Sequence, residues 1–156
     1  MNRHLLLALV PLTVFTACGK ETAEDPAAHA CEHVAEADAT LTAAADGESA
    51  PALGEDVATV VTLTDGATGY VSITVEADEA LLLFADTADV ITGLWDEADA
   101  DILPEGGPNE LCAEDLPEHF DLDLGAGTYL LALGPAAVSE VWLMLTPAEG
   151  HGHDHE

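Results

Sequence analysis

The chain has 156 residues, and its 31 Asp and Glu against two Lys and Arg give a formal net charge of −29 at pH 7. Such a surface repels phosphate backbones and anionic lipid headgroups, which argues against nucleic acid as a partner. Hydrophobic residues make up 49% of the sequence, and the acidic residues are interspersed among them. The composition therefore indicates one folded acidic domain rather than a disordered acidic tail.

The first eighteen residues have the pattern of a bacterial signal peptide. Arg3 precedes an apolar run at 5–15, which is too short to remain as a membrane-spanning helix, and small residues then lead to Cys18. The end of this run resembles a lipobox, in which the signal is cut before the cysteine and that cysteine is lipidated, although Phe15 stands where leucine is usual. We therefore predict a lipoprotein signal at 1–17; an ordinary secretory signal with a chance cysteine is the alternative.

The next segment contains a predicted tether and a short helix. Residues 18–28 are small and polar without a hydrophobic period, which is typical of a tether. Good helix formers between 27 and 36 predict a helix of about two turns, on which His29 and His33 share one face. Residues 37–56 are rich in Ala, Thr, Asp, Gly and Pro and are predicted to be a poorly structured connection.

From Val57 onward, short apolar or alternating runs are separated by turn residues. Seven runs are predicted to be strands, at 57–63, 70–75, 80–85, 90–95, 119–124, 128–133 and 139–146. In the clearest of them, Phe120, Leu122 and Leu124 face inward. Most spacings are roughly 8 to 12 residues, and no helical stretch lies between the strands, which argues against a parallel α/β sheet.

The predicted fold is therefore all-β: a single antiparallel β-sandwich or jelly roll of seven to eight strands, with a signal peptide and a short N-terminal helix. The predicted parts are a signal peptide at 1–17, a tether at 18–28, an N-terminal helix and connection at 29–56, a β-sandwich domain at 57–147 and a His-rich tail at 148–156.

Two cysteines remain once Cys18 is assigned to lipidation. In an oxidising compartment Cys31 and Cys112 are predicted to form a disulfide, which would join the start of the domain to a late loop. Closing a loop of about 80 residues contributes roughly 4 kcal/mol in the chain-entropy model. The alternative is that Cys31 is a thiolate ligand of a metal.

Histidines gather at both ends of the predicted mature chain, and the tail reads His-Gly-His-Asp-His-Glu. Histidines at i and i+2 lie on one side of an extended chain, about 6.5 to 7 Å apart, so two rings can reach one metal. Imidazole suits Zn²⁺, Cu²⁺ and Ni²⁺, and surrounding negative charge attracts them. The predicted metal ligands are His29, Glu32, His33, His119, His151, His153 and His155. The alternatives are a tail without a selected role and, for His119, an ordinary surface residue at the start of a strand.

Catalysis finds no support in the sequence. Gly-x-Ser-x-Gly, His-Glu-x-x-His and a Gly-rich phosphate loop are all absent, so we predict that the protein is not an enzyme. Aromatic residues make up 4% of the chain, which supplies a carbohydrate-stacking surface poorly. Trp95 and Trp142 end or lie within apolar runs and are predicted to be core residues.

Two resemblances bear on architecture. Residues 57–146 resemble the bacterial β-sandwich modules of the pre-peptidase C-terminal type, whose closing hairpin has a Gly-containing turn followed by Thr-Tyr and an alternating strand; here it reads Leu-Gly-Ala-Gly-Thr-Tyr-Leu-Leu-Ala-Leu at 124–133. This resemblance implies a fold and no activity.

A resemblance over nearly the whole predicted mature chain is to small, myxobacteria-like surface lipoproteins of Gram-negative bacteria, a group of unassigned function. It rests on Cys-Glu-His at 31–33, Gly-Tyr-Val at 69–71, Cys112, His119, the Gly-x-Tyr strand ending in Gly-Pro at 127–135, and the His-rich tail. The 127–135 segment is one residue longer than the pattern of that group. The resemblance implies architecture and localisation only.

These observations favour a lipid-anchored cell-envelope protein of the outer membrane, facing the periplasm or the cell surface. It would bind Zn²⁺, Cu²⁺ or Ni²⁺ through its His-bearing ends and buffer or deliver the metal. The alternative is a structural or protein-interaction module without a small ligand, which presents the loop at 96–118 to another envelope protein.

Overall fold

The computed structural model describes residues 25–64 and 66–149. The predicted signal peptide, the lipidation of Cys18 and the tail residues His151, His153 and His155 lie outside the described residues. The described elements are helix α1 (Pro26–His33), a 3-10 turn (Gly47–Ser49) and strands β1 (Ala39–Thr42), β2 (Thr59–Thr62), β3 (Gly69–Val75), β4 (Glu79–Ala85), β5 (Ile91–Trp95), β6 (Glu118–Leu124), β7 (Gly127–Leu133) and β8 (Glu140–Pro147). All seven predicted strands are present, as β2 to β8.

The strands form two sheets, which confirms the all-β prediction. One sheet has five strands in the order β1-β2-β8-β4-β6, and the other has three in the order β3-β7-β5. From β3 onward, every strand lies in the sheet opposite to that of its predecessor. Inward residues of both sheets join one hydrophobic cluster, which includes Val71 and Leu131 from the three-stranded sheet and Leu83 and Leu143 from the five-stranded sheet.

The prediction of a poorly structured connection at 37–56 is wrong in part, because it contains β1. This strand pairs with β2 in parallel, with Ala39 opposite Thr59, so the sheets are not purely antiparallel. Further bridges join Ala44 to Tyr70 and Ala52 to Ser72. Thr40 and Thr42 favour an extended chain, but the run is only four residues long, and the edge of β2 supplies the hydrogen bonds that complete the strand.

The helix begins earlier than predicted, inside the predicted tether. Asp25 caps it by accepting a hydrogen bond from the Ala27 N–H at 3.0 Å, and Pro26 occupies the first turn. Both residues are favoured at these positions, since the cap satisfies a free N–H and proline has none to satisfy.

Residues 124–133 do not form the hairpin that the resemblance implied. β6 pairs with β4, and β7 pairs with β3 and β5, so the turn between β6 and β7 passes from one sheet to the other. The Tyr129 hydroxyl donates to the Gly125 carbonyl at 2.9 Å, as in the tyrosine corners of other two-sheet proteins. A short turn between alternating strands predicts a hairpin, but here the two strands cover the core from opposite sides.

The centre of the five-stranded sheet is buried on both faces. Along β8, Val141, Leu143 and Leu145 belong to the core between the sheets, whereas Trp142 and Met144 belong to a second cluster on the outer face, beneath α1. Because β8 lies at the centre of this sheet and is covered on both sides, its sequence is continuously apolar instead of alternating.

The prediction of a core tryptophan holds for one of the two. Trp142 is 3% exposed, whereas Trp95 is only partly buried. A β-bulge between Ile91 and Gly93 explains the difference. It shifts the alternation of β5, so that Leu94 faces the core and Trp95 lies on the outer face of the three-stranded sheet.

Candidate functional site

Helix α1 carries the first two predicted histidines, and it is held to the loop between β5 and β6 and to the five-stranded sheet. The predicted disulfide is present: Cys31 is bonded to Cys112, with Cα atoms 6.0 Å apart, so Cys31 is not a metal thiolate in this structure. The buried Asn109 donates from Nδ2 to the Ala27 carbonyl at 3.0 Å. Just beyond the helix, the Trp142 indole N–H donates to the Glu36 carbonyl at 2.8 Å. These contacts hold the helix that carries the two histidines in one position.

His29 and His33 share one face of α1, as predicted. Their ring centroids are 4.5 Å apart, and the rings meet edge to face at 61°. Ala30 is fully buried against the outer face of the sheet, which leaves both histidines partly exposed along the side of the helix. Two imidazoles one turn apart on an anchored helix are positioned to approach the same ion.

Glu36 defines the orientation of the His33 ring. Its Oε2 lies 3.1 Å from His33 Nδ1; the His33 side chain is 32% exposed and the Glu36 side chain is 62% exposed. An Nδ1–H that donates to a carboxylate leaves the Nε2 lone pair free for a ligand, which is how many metal-binding histidines are oriented. Sequence reasoning missed Glu36; its spacing of three residues from His33 was the available signal.

Glu32 and His119 are not assembled with this pair into a complete site. Glu32 is exposed and lies about 100° around the helix from its neighbour His33. His119 lies on β6, where its ring stacks on Phe84 at 5.8 Å and its Nδ1 is 3.0 Å from the Gly107 carbonyl oxygen. Within residues 25–64 and 66–149, no group of three or more His, Cys, Asp or Glu side chains is arranged to hold a metal ion.

The buried carboxyl group of Glu118 was also missed by sequence reasoning. It is 9% exposed, and its Oε2 accepts a hydrogen bond from the Ile91 N–H at 3.2 Å. Burial raises the pKa of this carboxyl, while hydrogen bonds from the backbone of Ile91, Val90 and Asp89 oppose the shift. Glu118 belongs to one sheet and Ile91 to the other, so this contact ties the two sheets together.

No protein-family model matches the chain, and no curated protein has a significantly similar sequence. In the part of the chain that the structure describes, no helix is long and apolar enough to cross a membrane.

Proposed function

We propose that the protein is a lipid-anchored protein of the cell envelope that binds Zn²⁺ or Cu²⁺ through His29, His33 and the His-rich tail, and that buffers the metal or passes it on. The single observation that carries this proposal is the contact between Glu36 and His33, in a ring pair whose centroids are 4.5 Å apart. It favours the tautomer and orientation that metal coordination requires.

The pair by itself is an incomplete ligand set. Structural zinc sites have four protein ligands and catalytic sites have three, at Zn–N distances of about 2.0–2.1 Å. Two imidazoles from α1 therefore leave positions for other ligands. His151, His153 and His155 supply imidazoles of the same kind, and the net charge of −29 raises the local concentration of divalent cations.

The length of the chain allows the two ends to meet. Trp142, beside Glu36, is five residues before Pro147 on β8, a distance of about 17 Å along a strand. The six residues from Pro147 to His153 can span up to about 20 Å. His153 and His155 are therefore far enough along the chain to reach the region of Glu36, whereas His151, four residues after Pro147, spans at most about 14 Å.

The proposed location follows from the resemblance of 1–18 to a lipoprotein signal. With Cys18 lipidated, about eight residues separate the anchor from Pro26, and they can span at most about 29 Å. The proposed metal site would then lie at the membrane-proximal end of the domain. An outer-membrane position facing the periplasm or the cell surface agrees with this arrangement.

We further propose that the two sheets form a β-sandwich of the jelly-roll type. The support is that β2 to β8 alternate strictly between the sheets. The long loop between β5 and β6 stands where one further strand of an eight-stranded jelly roll would lie. This assignment is also what the resemblance to pre-peptidase C-terminal modules implies.

The test is isothermal titration of the purified protein with Zn²⁺ and Cu²⁺. We expect tight binding in the wild type, a large loss in the double variant His29→Gln/His33→Gln, and a similar loss when 150–156 are deleted. Glu36→Gln should weaken binding about tenfold or more, because it removes the orienting carboxylate. His119→Gln is the matched control and should bind as the wild type does. Equal affinities for the wild type and the double variant would contradict the proposal.

A second candidate function is favoured by a different observation. Among the described residues, the large hydrophobic side chains that are exposed are Ile102 (37%) and Leu111 (61%), and both lie in the loop at 96–118. Exposed apolar side chains on one loop suit an interaction with another envelope protein. A photoreactive residue at 111 should then crosslink to one partner in cells, and the crosslink should survive deletion of the tail. Loss of the crosslink with the tail would speak against this function.

A further inference from the structure

A depression lies on the outer face of the three-stranded sheet, away from α1 and its histidines. Its volume is about 490 Å³. Its floor is formed by Tyr70 on β3, Leu130 on β7 and Trp95 on β5, with Trp95 directly opposite Leu130 in the strand register. The carboxylate-bearing residues around it are Asp46, Asp96 and Asp99. We call it the Tyr70–Trp95 depression.

Two glycines allow close packing at the floor of the depression. A Cβ atom on Gly93 would overlap the Trp95 ring, so the indole rests directly over this residue. A Cβ atom on Gly47 would lie 2.5 Å from a methyl group of Leu130, so the 3-10 turn sits against the same floor. Together with the bulge that turns Trp95 outward, these positions place aromatic and apolar surface at the bottom of the depression.

Hydrogen bonds position two of the carboxylates. Asp46 Oδ1 accepts from the backbone N–H and the hydroxyl of Ser49, at 3.1 and 2.7 Å. Asp96 Oδ1 accepts from the backbone N–H groups of Ala98 and Ala100, at 2.9 and 3.0 Å. All four of these bonds use Oδ1 and do not occupy the Oδ2 atoms. The same bonds from Ser49 hold the pKa of Asp46 below its ordinary value.

The arrangement suits a cation larger than a metal ion. In the described part of the chain, no three carboxylates come together closely enough to hold a metal, so these acids surround the depression without forming one coordination site. An ammonium group with apolar substituents can contact aromatic rings and carboxylates at once, as quaternary ammonium ions do in aromatic cages. We propose that the Tyr70–Trp95 depression binds small organic ammonium ions, with Tyr70 and Trp95 contacting the cation and Asp46, Asp96 and Asp99 supplying the opposite charge.

The test compares choline with 3,3-dimethyl-1-butanol, a neutral molecule of nearly the same shape. The protein has two tryptophans, so two indole N–H signals are expected in an NMR spectrum, and Trp95→Phe identifies the signal of Trp95. Choline should shift the Trp95 signal with saturation and leave the buried Trp142 signal in place. The neutral analogue should cause no saturable shift at the same concentrations.

Variants then separate the depression from the charge of the whole molecule. Tyr70→Leu should weaken choline binding about two- to fivefold, as expected for the loss of one partly exposed cation–π contact. Asp99→Asn should weaken it as well, whereas Asp121→Asn, the same change at an exposed position on β6, should not. Thermal unfolding of each variant checks that the fold is retained.

Several outcomes would overturn the proposal. Equal shifts from choline and its neutral analogue would make the depression an apolar site, and equal weakening by Asp99→Asn and Asp121→Asn would mean diffuse charge attraction. A shift with maltose but none with choline would indicate a sugar site. Because no metal is added, these results are independent of whether the α1 histidines bind Zn²⁺ or Cu²⁺.

Discussion

The two sheets differ in what covers their outer faces, and the two tryptophans, one on each outer face, differ in burial as a result. Trp142 lies on the outer face of the five-stranded sheet, where α1 covers it and its indole N–H donates to the Glu36 carbonyl. Trp95 lies on the outer face of the three-stranded sheet and remains partly exposed beside Tyr70. On the covered face the tryptophan becomes part of a second hydrophobic cluster. On the open face the tryptophan keeps a solvent-accessible surface that a ligand can contact.

The largest expected change in the free energy of unfolding is that of replacing the covered tryptophan, compared with the same replacement on the open face. Trp142→Ala should lower the free energy of unfolding by about 3–5 kcal/mol, because it empties a buried site under α1. Trp95→Ala should cost about 1 kcal/mol or less, as is usual for partly exposed positions. Urea unfolding followed by circular dichroism measures both values. Equal losses would mean that the open face is as well packed as the covered one.

The disulfide gives the next largest effect. Replacing Cys31 and Cys112 with serine should cost about 2–4 kcal/mol, since the bridge restricts an unfolded chain across a separation of 81 residues and fixes α1 over the outer face. Urea unfolding again supplies the value, with the disulfide-bonded wild type as the reference. A double variant as stable as the wild type would show that the covering of the five-stranded sheet does not depend on the bridge.

A smaller effect is expected where the chain passes between the sheets. Tyr129→Phe removes the hydrogen bond to the Gly125 carbonyl and should cost about 0.5–1.5 kcal/mol. Tyr70→Phe changes the same group on the open face, where the residue is only partly buried, and should cost less. Thermal and urea unfolding of the two variants compare them, and the reverse order would refute the role of the Tyr129 corner.

The smallest effect concerns Glu118, at the opposite end of β6 from that corner. Its folded pKa is raised above the ordinary value of 4.5, so the folded state binds the proton more tightly than the unfolded state does. The associated stability is fully present below the unfolded pKa and is lost as the pH rises through the folded pKa. Relative to Glu118→Gln, the wild type should therefore lose free energy of unfolding over this range.

Urea unfolding of wild type and Glu118→Gln from acidic to neutral pH tests this sign. Glu114→Gln, an exposed residue of the neighbouring loop, is the matched control for the loss of one carboxyl group. A difference between wild type and Glu118→Gln that stays constant with pH, or that changes in the opposite direction, would contradict the assignment.

The local sequence pattern was sufficient to predict most strands and the helix. The alternation of Phe120, Leu122 and Leu124 with exposed Asp121 and Asp123 identifies both the strand and its inward face, because side chains alternate along a strand. The helix with its two histidines was predictable for the same reason, since residues four apart share a face. The disulfide was predictable because only Cys31 and Cys112 remain once Cys18 is assigned to lipidation, and an oxidising compartment favours their pairing.

Tertiary structure decided which strands pair and which faces are covered. The period of a strand specifies its inward residues, but it does not name a partner, so the alternation of β2 to β8 between the sheets could not be read from their sequences. The edge of β2 made Ala39–Thr42 a strand. The bulge in β5 reversed the side of Trp95, because one extra residue in a ladder turns every following side chain to the opposite face.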